Sequence, residues 1–285
     1  AYLSNLNTPF EIIIVDDGSK DNTQEVARQL CQQFSSVVFI SLSRNFGKEP
    51  AIAAGLKHTK GEVVVLMDAD GQHPFEYIST MLEKWQSGVD VVYAVRKTRD
   101  DQGKIQIGLT SVFYKLVNWG TKVKIPPNAG DFRLMDQKVV DALNGLPERN
   151  RFMKGLYAWV GFKSTAIEYE PLERLSGQSQ FGFFGSMRLA ITGLLAFSTL
   201  PLKLLTLVGI IISTISIAYG AYMIFGYFYY GTTVPGYATL AISIMFFSGI
   251  QMLAIGTIAS YIGRIYEEVK DRPLFLVQDQ FGQGL

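Results

Sequence analysis

The stretch from Leu204 to Gly263 constrains the fold most, because none of its residues is Asp, Glu, Lys, Arg or His. A helix that spans a bilayer needs only about 20 apolar residues, and soluble domains do not tolerate an uncharged run this long. The turn-like sequence GTTVPG at 231–236 divides the run. We therefore predict two membrane spans, Leu204–Tyr230 and Tyr237–Arg264.

The charges beside these spans predict their orientation. Lys203, Arg264, Lys270 and Arg272 flank the outer ends, whereas the short loop between the spans carries no charge. Basic residues concentrate on the cytoplasmic side of membrane proteins. We therefore expect a multi-pass protein of the cell membrane, with everything outside the spans except that loop in the cytoplasm.

Composition excludes several other classes of protein. The net charge of +1 argues against a nucleic-acid-binding protein that works through a broad basic surface. Cys31 is the single cysteine, so no internal disulfide can form and a reducing compartment is expected. The two histidines show no metal-binding spacing with it.

Strand-like and helix-like patterns alternate before the spans. This order predicts an α/β fold with a Rossmann-like, mostly parallel sheet and helices on both faces. Ligands of such sheets bind beyond the carboxyl ends of the strands. The predicted strands are Glu11–Val15, Val37–Leu42, Glu62–Met67 and Val89–Val95, and the predicted helices are Thr23–Gln33, Pro50–Thr59 and Pro74–Gln86. We also expect an amphipathic helix over Lys104–Lys122 and an interfacial one over Phe181–Leu200.

Two carboxylates, Asp68 and Asp70, directly follow the apolar strand 63–67. Two such groups held close together repel, so one takes up a proton unless a cation lies between them. Oxygen ligands, with Gln72 nearby, suit Mg²⁺ or Mn²⁺ bound together with substrate phosphates. A solvated acidic loop is the alternative for D-x-D alone, but a second acidic strand end at Asp16 and Asp17 favours a metal–diphosphate site.

Several motifs together resemble the family 2 glycosyltransferases of GT-A fold. They are VDDGSKDNT, SRNFGKEPAIAAGLKHTKG, LMDADGQHP and NAGDFRLMD, followed by the paired spans. More closely, they resemble the polyprenyl-phosphate glycosyltransferases, including dolichyl-phosphate mannose synthases and bactoprenol glucosyltransferases. The resemblance covers nearly the whole chain. It implies inverting transfer of a hexose from a UDP-sugar to a polyprenyl (undecaprenyl) phosphate, with Mg²⁺ or Mn²⁺ as cofactor, in a cell-envelope enzyme that can be a tetramer.

The resemblance also implies roles for residues on the donor side. Metal ligands are expected at the D-x-D-x-Q positions, Asp68, Asp70 and Gln72. Nucleotide contacts are expected from Asp16, Asp17, Ser19, Arg44, Asn45, Gly47, Lys48 and Asp68.

On the acceptor side, the resemblance implies contacts to the lipid phosphate from Arg96, Arg133, Arg174 and Ser179. Asp131, Arg133 and Asp70 match the positions nearest the reacting sugar. A phosphate monoester has a second pKa of about 6, so it needs little help from a general base at neutral pH. We therefore expect Asp131 to orient the acceptor or the sugar.

The sequence departs from the family pattern at three places. The usual first strand with its nucleotide-contacting motif is absent before AYLSNLNTPF, which leads us to expect a missing strand in the sheet. Gln180 replaces the Lys of R-x-x-G-x-[ST]-K, and Thr192 stands where an acidic residue is common. The predicted organisation is a catalytic domain over 1–180, a juxtamembrane segment over 181–202, spans within 203–266 and a cytoplasmic tail over 267–285.

Alternative functions stay open from the sequence. Glucose is the first choice of sugar, because FGKEPAIAAGLKH and IPPNAGDFRLMD look most like the glucosyltransferase branch, with mannose or amino-arabinose as alternatives. A processive polysaccharide synthase would carry a Q-x-x-R-W motif, which the sequence lacks. An inactive membrane-anchored scaffold that binds nucleotide-sugar is the alternative from another class.

Overall fold

The computed structural model describes residues 2–6, 8–97, 129–149, 151–172, 200–230 and 236–284. A short 3₁₀ helix, Leu3–Leu6, precedes the first strand. The strands are β1 (Ile12–Asp16), β2 (Val37–Leu42), β3 (Val63–Leu66), β4 (Val91–Arg96), β5 (Ala129–Asp136), β6 (Ser164–Tyr169) and β7 (Val277–Phe281). The helices are α1 (Thr23–Gln33), α2 (Lys48–Lys57), α3 (Tyr77–Gln86), α4 (Gln137–Asn144), α5 (Met153–Trp159), α6 (Leu200–Tyr230) and α7 (Tyr237–Val269).

The strands form two sheets of mixed direction. One has the order β1-β2-β7, in which β1 and β2 are parallel and β7 is antiparallel to β2. The other has the order β3-β5-β4-β6, in which β5 runs antiparallel to both of its neighbours and β4 and β6 are parallel. The α/β class is thus confirmed. The pairing is mixed because β5 and β7, which the alternating pattern did not include, enter antiparallel to their neighbours.

Helices cover both faces of the four-stranded sheet. Alternate residues of a strand point to opposite faces, and the core follows that rule. Val64 and Met135 pack in a cluster with α2, α4 and α5, whereas Val65 and Leu134 pack on the opposite side with Met81 of α3. The uninterrupted apolar run of β3 therefore reflects a strand that is covered on both faces.

Among the residues that the structure describes, two helices are long and apolar enough to cross a membrane. Within α6 the span is Leu204–Met223, with a mean hydropathy of 2.0, and within α7 it is Ser243–Val269, with a mean hydropathy of 1.5. At about 1.5 Å of rise per residue, a helix of about 20 residues covers the ~30 Å hydrocarbon core of a bilayer. Their large side chains are exposed, as at Ile217 and Met245, which supports membrane association.

Some predictions lie outside the described residues. These are the helix expected over 104–122, the interfacial segment up to 199, and the residues Arg174, Ser179, Gln180 and Thr192. The predicted C-terminal tail contains the end of α7 and strand β7. Strands β1 and β3 lie at the ends of their two sheets and do not pair with each other. The missing first strand stays a prediction.

Candidate functional site

The end of β1 supports the loop that follows β2. The Asp16 carboxylate is buried and accepts hydrogen bonds from the Ser19 backbone N–H at 3.2 and 3.3 Å and from the Ser41 hydroxyl at 3.4 Å. Gly18 has φ +74°, and a Cβ there would lie 2.6 Å from the carbonyl carbon of Arg44. The turn after β1 therefore packs directly against the 44–45 backbone and requires glycine.

Asp17 binds the C-terminal end of the same loop. Its two carboxylate oxygens accept the backbone N–H groups of Phe46, at 2.7 Å, and Gly47, at 2.8 Å. Gly47 has φ +102° and leads into α2 at Lys48. Asp17 thus holds the 44–48 loop directly, whereas Asp16 holds the turn that packs against it. The contact of either residue with a nucleotide stays a prediction.

The other residues predicted to contact the nucleotide lie on the exposed side of that loop and in the turn after β1. Ser19, Arg44 and Asn45 are exposed, and the Arg44 guanidinium lies 4.3 Å from the centre of the Phe46 ring. These side chains can therefore meet a ligand without breaking a buried contact.

Lys48 joins the ends of two strands. Its ammonium Nζ lies 2.8 Å from Asp68 Oδ1, after β3, and 2.7 Å from Asp131 Oδ2 on β5. Burial alone would lower the pKa of Lys48, but the two carboxylates outweigh it and raise that pKa well above its usual value. Lys48 is therefore a permanent cation between two predicted site carboxylates.

Asp131 is ionised in this arrangement. Burial favours its protonated form, but the positive charges of Lys48, Lys154 and Arg133 outweigh burial and hold the pKa of Asp131 below its usual value. A carboxylate with a lowered pKa is a weak base at neutral pH. Asp131 is therefore poorly suited to act as a general base, and its predicted role in orienting the acceptor or the sugar stays a prediction.

The D-x-D-x-Q segment forms a compact turn beyond β3. Asp70 Oδ1 accepts the Gln72 backbone N–H at 3.1 Å, and Gln72 Oε1 accepts from the Arg96 guanidinium at 3.2 Å. The Asp68 backbone N–H donates to His73 Nδ1 at 3.1 Å. Burial lowers the pKa of His73, so its ring is neutral and accepts this bond. The structure thus brings Arg96 beside the predicted metal motif.

Arg133 lies deeper than the other predicted residues. It is 3 % exposed, its guanidinium lies 3.4 Å from the centre of the Tyr157 ring, and it donates to the Gly130 carbonyl at 2.6 Å. Its Nε and the Tyr157 hydroxyl are buried without a hydrogen-bond partner among the described residues. In this structure Arg133 therefore supports the site from within, and its contact with an acceptor phosphate stays a prediction.

Sequence reasoning missed two ionisable residues next to Asp131. Glu49 Oε2 accepts the Met153 backbone N–H at 3.3 Å, which links α2 to α5. Burial, followed by the negative charge of Asp131, raises the pKa of Glu49 to about 7. Burial also lowers the pKa of Lys154. The apolar spacing of FMKGLYAW could have indicated α5, but no local pattern indicates that Lys154 of this helix lies near Asp131.

The chain is similar to known glycosyltransferases over most of its length. The family profile described as Glycosyl transferase family 2 matches residues 2–143. A bactoprenol glucosyl transferase of Shigella phage SfX is 44% identical, over 95% of this chain and 88% of its own length. A prophage bactoprenol glucosyl transferase homolog of Escherichia coli (strain K12) is 42% identical, over 94% of this chain and 88% of that protein. An uncharacterized glycosyltransferase of Synechocystis sp. is 45% identical, over 98% of this chain and 88% of that protein.

Likeness to solved structures is weaker. Glucosyl-3-phosphoglycerate synthase from Mycobacterium tuberculosis, solved in complex with Mn²⁺, UDP-glucose and phosphoglyceric acid, has a TM-score of 0.39 and 18% identity, over 64% of this chain and 66% of that chain. A similarity of that size tells nothing about the site.

Proposed function

The chain belongs to glycosyl transferase family 2, and on that premise we propose that it transfers glucose from UDP-glucose to a polyprenyl phosphate. The name shared by these relatives, bactoprenol glucosyl transferase, supports both the sugar and the lipid acceptor. The structural observation that carries the proposal is the bridge from Lys48 to Asp68 and Asp131, with Arg96 on Gln72 nearby. These contacts bring carboxylates and cations together beyond the ends of β3 and β4, and both kinds of group are needed to bind a metal-bound diphosphate.

The side chains after β3 that can bind a metal fit a divalent cation that is shared with the substrate. The atoms of Asp68, Asp70 and Gln72 that can bind a metal are all oxygens, which Mg²⁺ and Mn²⁺ prefer. Among the described residues there is no group of three His, Cys, Asp or Glu side chains that could hold an ion alone. Phosphate oxygens or water would therefore complete the coordination. Such an ion, when bound, offsets the negative charge that develops on the departing nucleotide.

The proposed reaction is a direct displacement at the anomeric carbon. An oxygen of the lipid phosphate forms the new bond to that carbon while the bond to the oxygen of UDP breaks, which inverts the configuration. The phosphate is largely ionised at neutral pH, with a second pKa of about 6, so no proton has to be removed. The protein's main task is to position the acceptor, and the guanidinium of Arg96 suits that task.

In the proposal, Lys48 and Asp131 organise the charges around the reacting groups. Asp131 keeps Lys48 in place from the β5 side, and Lys48 keeps Asp68 oriented from the α2 side. Because Lys48 and Asp131 already contact each other before the substrate arrives, this pair needs no reorganisation during the reaction.

The two apolar helices support a membrane location for the reaction. Because the acceptor's phosphate stays at the membrane surface, an enzyme anchored by α6 and α7 meets it by lateral diffusion. The basic residues flanking the spans support placing the catalytic part at the cytoplasmic face. The tetramer, and the alternative sugars mannose and amino-arabinose, stay predictions.

Activity of the full chain in lipid vesicles tests the proposal. Purified protein should convert radiolabelled UDP-glucose and undecaprenyl phosphate to a lipid-linked product only when Mg²⁺ or Mn²⁺ is present. Asp68→Asn and Asp70→Asn should each lose at least about 100-fold in rate, in the range found when a transition-state charge partner is removed. Asp141→Asn, on the exposed side of α4, is the matched control. UDP-glucose binding without turnover would instead favour the scaffold.

A further inference from the structure

The segment that follows α7 returns to the catalytic part of the molecule. Asp271 adopts φ +50° and ends the helix, and Phe275 then packs against the core cluster of Ile40, Leu42 and Ala54. The Ser43 backbone N–H donates to the Leu276 carbonyl at 2.9 Å. Residues 270–284, which we call the C-terminal strap, therefore begin at a candidate membrane helix and end on a sheet.

Strand β7 fixes the strap along residues Phe39–Leu42 of β2. Its Phe281 ring stacks on Phe39, with ring centres 6.2 Å apart. The guanidinium of Arg28 on α1 lies 4.3 Å from the centre of the Phe281 ring. The Gln24 side chain donates to Asp279 at 3.0 Å. These contacts add side-chain packing to the antiparallel ladder, so the strap is an integral strand of that sheet.

A second attachment lies at the end of α7 itself. The Glu268 carboxylate accepts the Arg149 backbone N–H through both oxygens, at 3.0 and 3.1 Å. The Arg149 guanidinium forms an ion pair with Asp271. Arg149 lies in the connection between α4 and α5.

Both attachments lead to elements of the candidate site. Strand β2 continues into the 44–48 loop, which ends at Lys48. The connection held by Arg149 continues into α5, which carries Lys154 and Tyr157 beside Asp131 and Arg133. Two attachments to different elements restrict the rotation of the catalytic part relative to α7 as well as its distance from that helix. A single attachment would leave the catalytic part free to turn about that point.

We propose that the C-terminal strap is a positioning segment. It holds the β1-β2-β7 sheet, and with it the candidate site, in one orientation on α7, so that the site meets the phosphate of a lipid embedded in the membrane. The inference rests on the proposed function. Orientation and proximity control rate strongly when one reactant is confined to a surface. The strap is needed for reaction with a membrane-embedded acceptor, and it takes no part in donor binding or in the chemical step.

Cutting the strap after folding tests this role. A site-specific protease sequence inserted between the exposed residues Arg272 and Pro273 lets the full chain fold in vesicles before it is cut. The cut leaves β7 paired with β2 but ends its connection to α7. The uncut insertion protein and protease-treated wild type are the controls.

The expected result is a difference between acceptors. After cutting, transfer to long-chain polyprenyl phosphate in the vesicle should fall by roughly tenfold or more. Transfer to a short, water-soluble isoprenyl phosphate, and the affinity for UDP-glucose, should each stay within about twofold of the uncut protein. Unchanged transfer to the long-chain acceptor would overturn the proposal. So would an equal loss with both acceptors, since that would make the strap part of the site's own fold.

A variant tests the second attachment without any cut. Glu268→Ala combined with Asp271→Ala removes both acceptors of Arg149, and Glu267→Ala on the same helix is the matched control. The double variant should reproduce the acceptor-specific loss to a smaller extent, and the control should not. Equal rates for the double variant and the control would count against the second attachment.

A distance measurement separates this inference from the proposed activity. With Cys31→Ser as background, spin labels are placed at Glu83 on α3 and Phe246 on α7, both exposed. If the strap fixes the orientation, the distribution of distances should be narrow before cutting and broad afterwards. That readout needs no turnover, so it holds even where no transfer is seen. An unchanged distribution would refute the strap's role, whereas absent activity with a narrow distribution would refute the proposed function alone.

Discussion

Lys48 Nζ donates to Asp131 Oδ2 at 2.7 Å while it also contacts the carboxylate of Asp68. The ammonium therefore occupies a position between a predicted metal ligand and a predicted catalytic carboxylate. The ammonium thus gives the Asp68 carboxylate a positive partner, as a divalent ion would. Lys48 and the metal must compete for Asp68, at least in part.

Removal of Lys48 should therefore strengthen metal binding by the nucleotide-free protein. In Lys48→Met, we expect the affinity for Mn²⁺ to rise by about tenfold, or about 1.4 kcal/mol, because the Asp68 carboxylate loses a competing cation and the site loses a positive charge. Glucosyl transfer should fall, because Asp131 loses its partner. Electron paramagnetic resonance of free Mn²⁺ measures the affinity directly. Lys57→Met, at the exposed end of α2, is the control, and equal Mn²⁺ affinity in the two variants would contradict the competition.

Gly18 offers a second prediction about the 44–48 loop. Alanine at this position would carry both the strain of φ +74° and a Cβ 2.6 Å from the Arg44 carbonyl carbon. Gly88 has φ +87°, but a Cβ there would meet nothing within 4 Å among the described residues, so Gly88→Ala carries the strain alone. We expect Gly88→Ala to cost about 1–2 kcal/mol and Gly18→Ala about 1–3 kcal/mol more.

Thermal unfolding of the full chain in detergent compares these two glycine variants. The affinity for UDP-glucose should fall only in Gly18→Ala, because that clash displaces the backbone at Arg44 and Asn45. Similar unfolding midpoints and similar donor affinities for both variants would show that the turn and the loop move independently.

Local pattern predicts the elements whose apolar residues are periodic or continuous. The predicted bounds of α1 and β2 agree with the structure. Helix α2 begins two residues earlier than predicted, because Gly47 provides the turn and Pro50 is tolerated in the first turn. Helix α3 begins later, at Tyr77, because the backbone N–H groups of Tyr77 and Ile78 bond three residues back, to Pro74 and Phe75.

Long-range pairing explains what the sequence does not predict. Strand β5 contains GDFRL, which stands out in the sequence only as a motif, and it becomes a strand because β3 and β4 pair with its two edges. The sequence VQDQF of β7 is weakly apolar, and it is a strand because β2 offers an open edge. In the site, the D-x-D-x-Q turn is local and predictable, whereas the contact of Lys48 with Asp131 depends on tertiary folding.

Glu49 gives a prediction about pH. Its pKa rises from 4.5 to about 7 in the folded protein, mainly through burial and then through the charge of Asp131. Between these values the folded state binds more protons than the unfolded state, so stability falls as the pH rises through this range. Above about pH 7 the ionised Glu49 lowers the free energy of unfolding by its full amount, up to about 3 kcal/mol at 1.36 kcal/mol per pKa unit.

Glu49→Gln should therefore stabilise the protein at pH 8 and have little effect near pH 4.5. The glutamine amide oxygen can still accept the Met153 backbone N–H, so the link between α2 and α5 is kept. Unfolding midpoints of the full chain in detergent, measured by tryptophan fluorescence between pH 4.5 and 8.5, follow the effect. Glu83→Gln, exposed on α3, is the control and should show no such trend. A gain for Glu49→Gln that is constant with pH would mean that Glu49 stays ionised, and that Lys48 and Lys154 outweigh its burial.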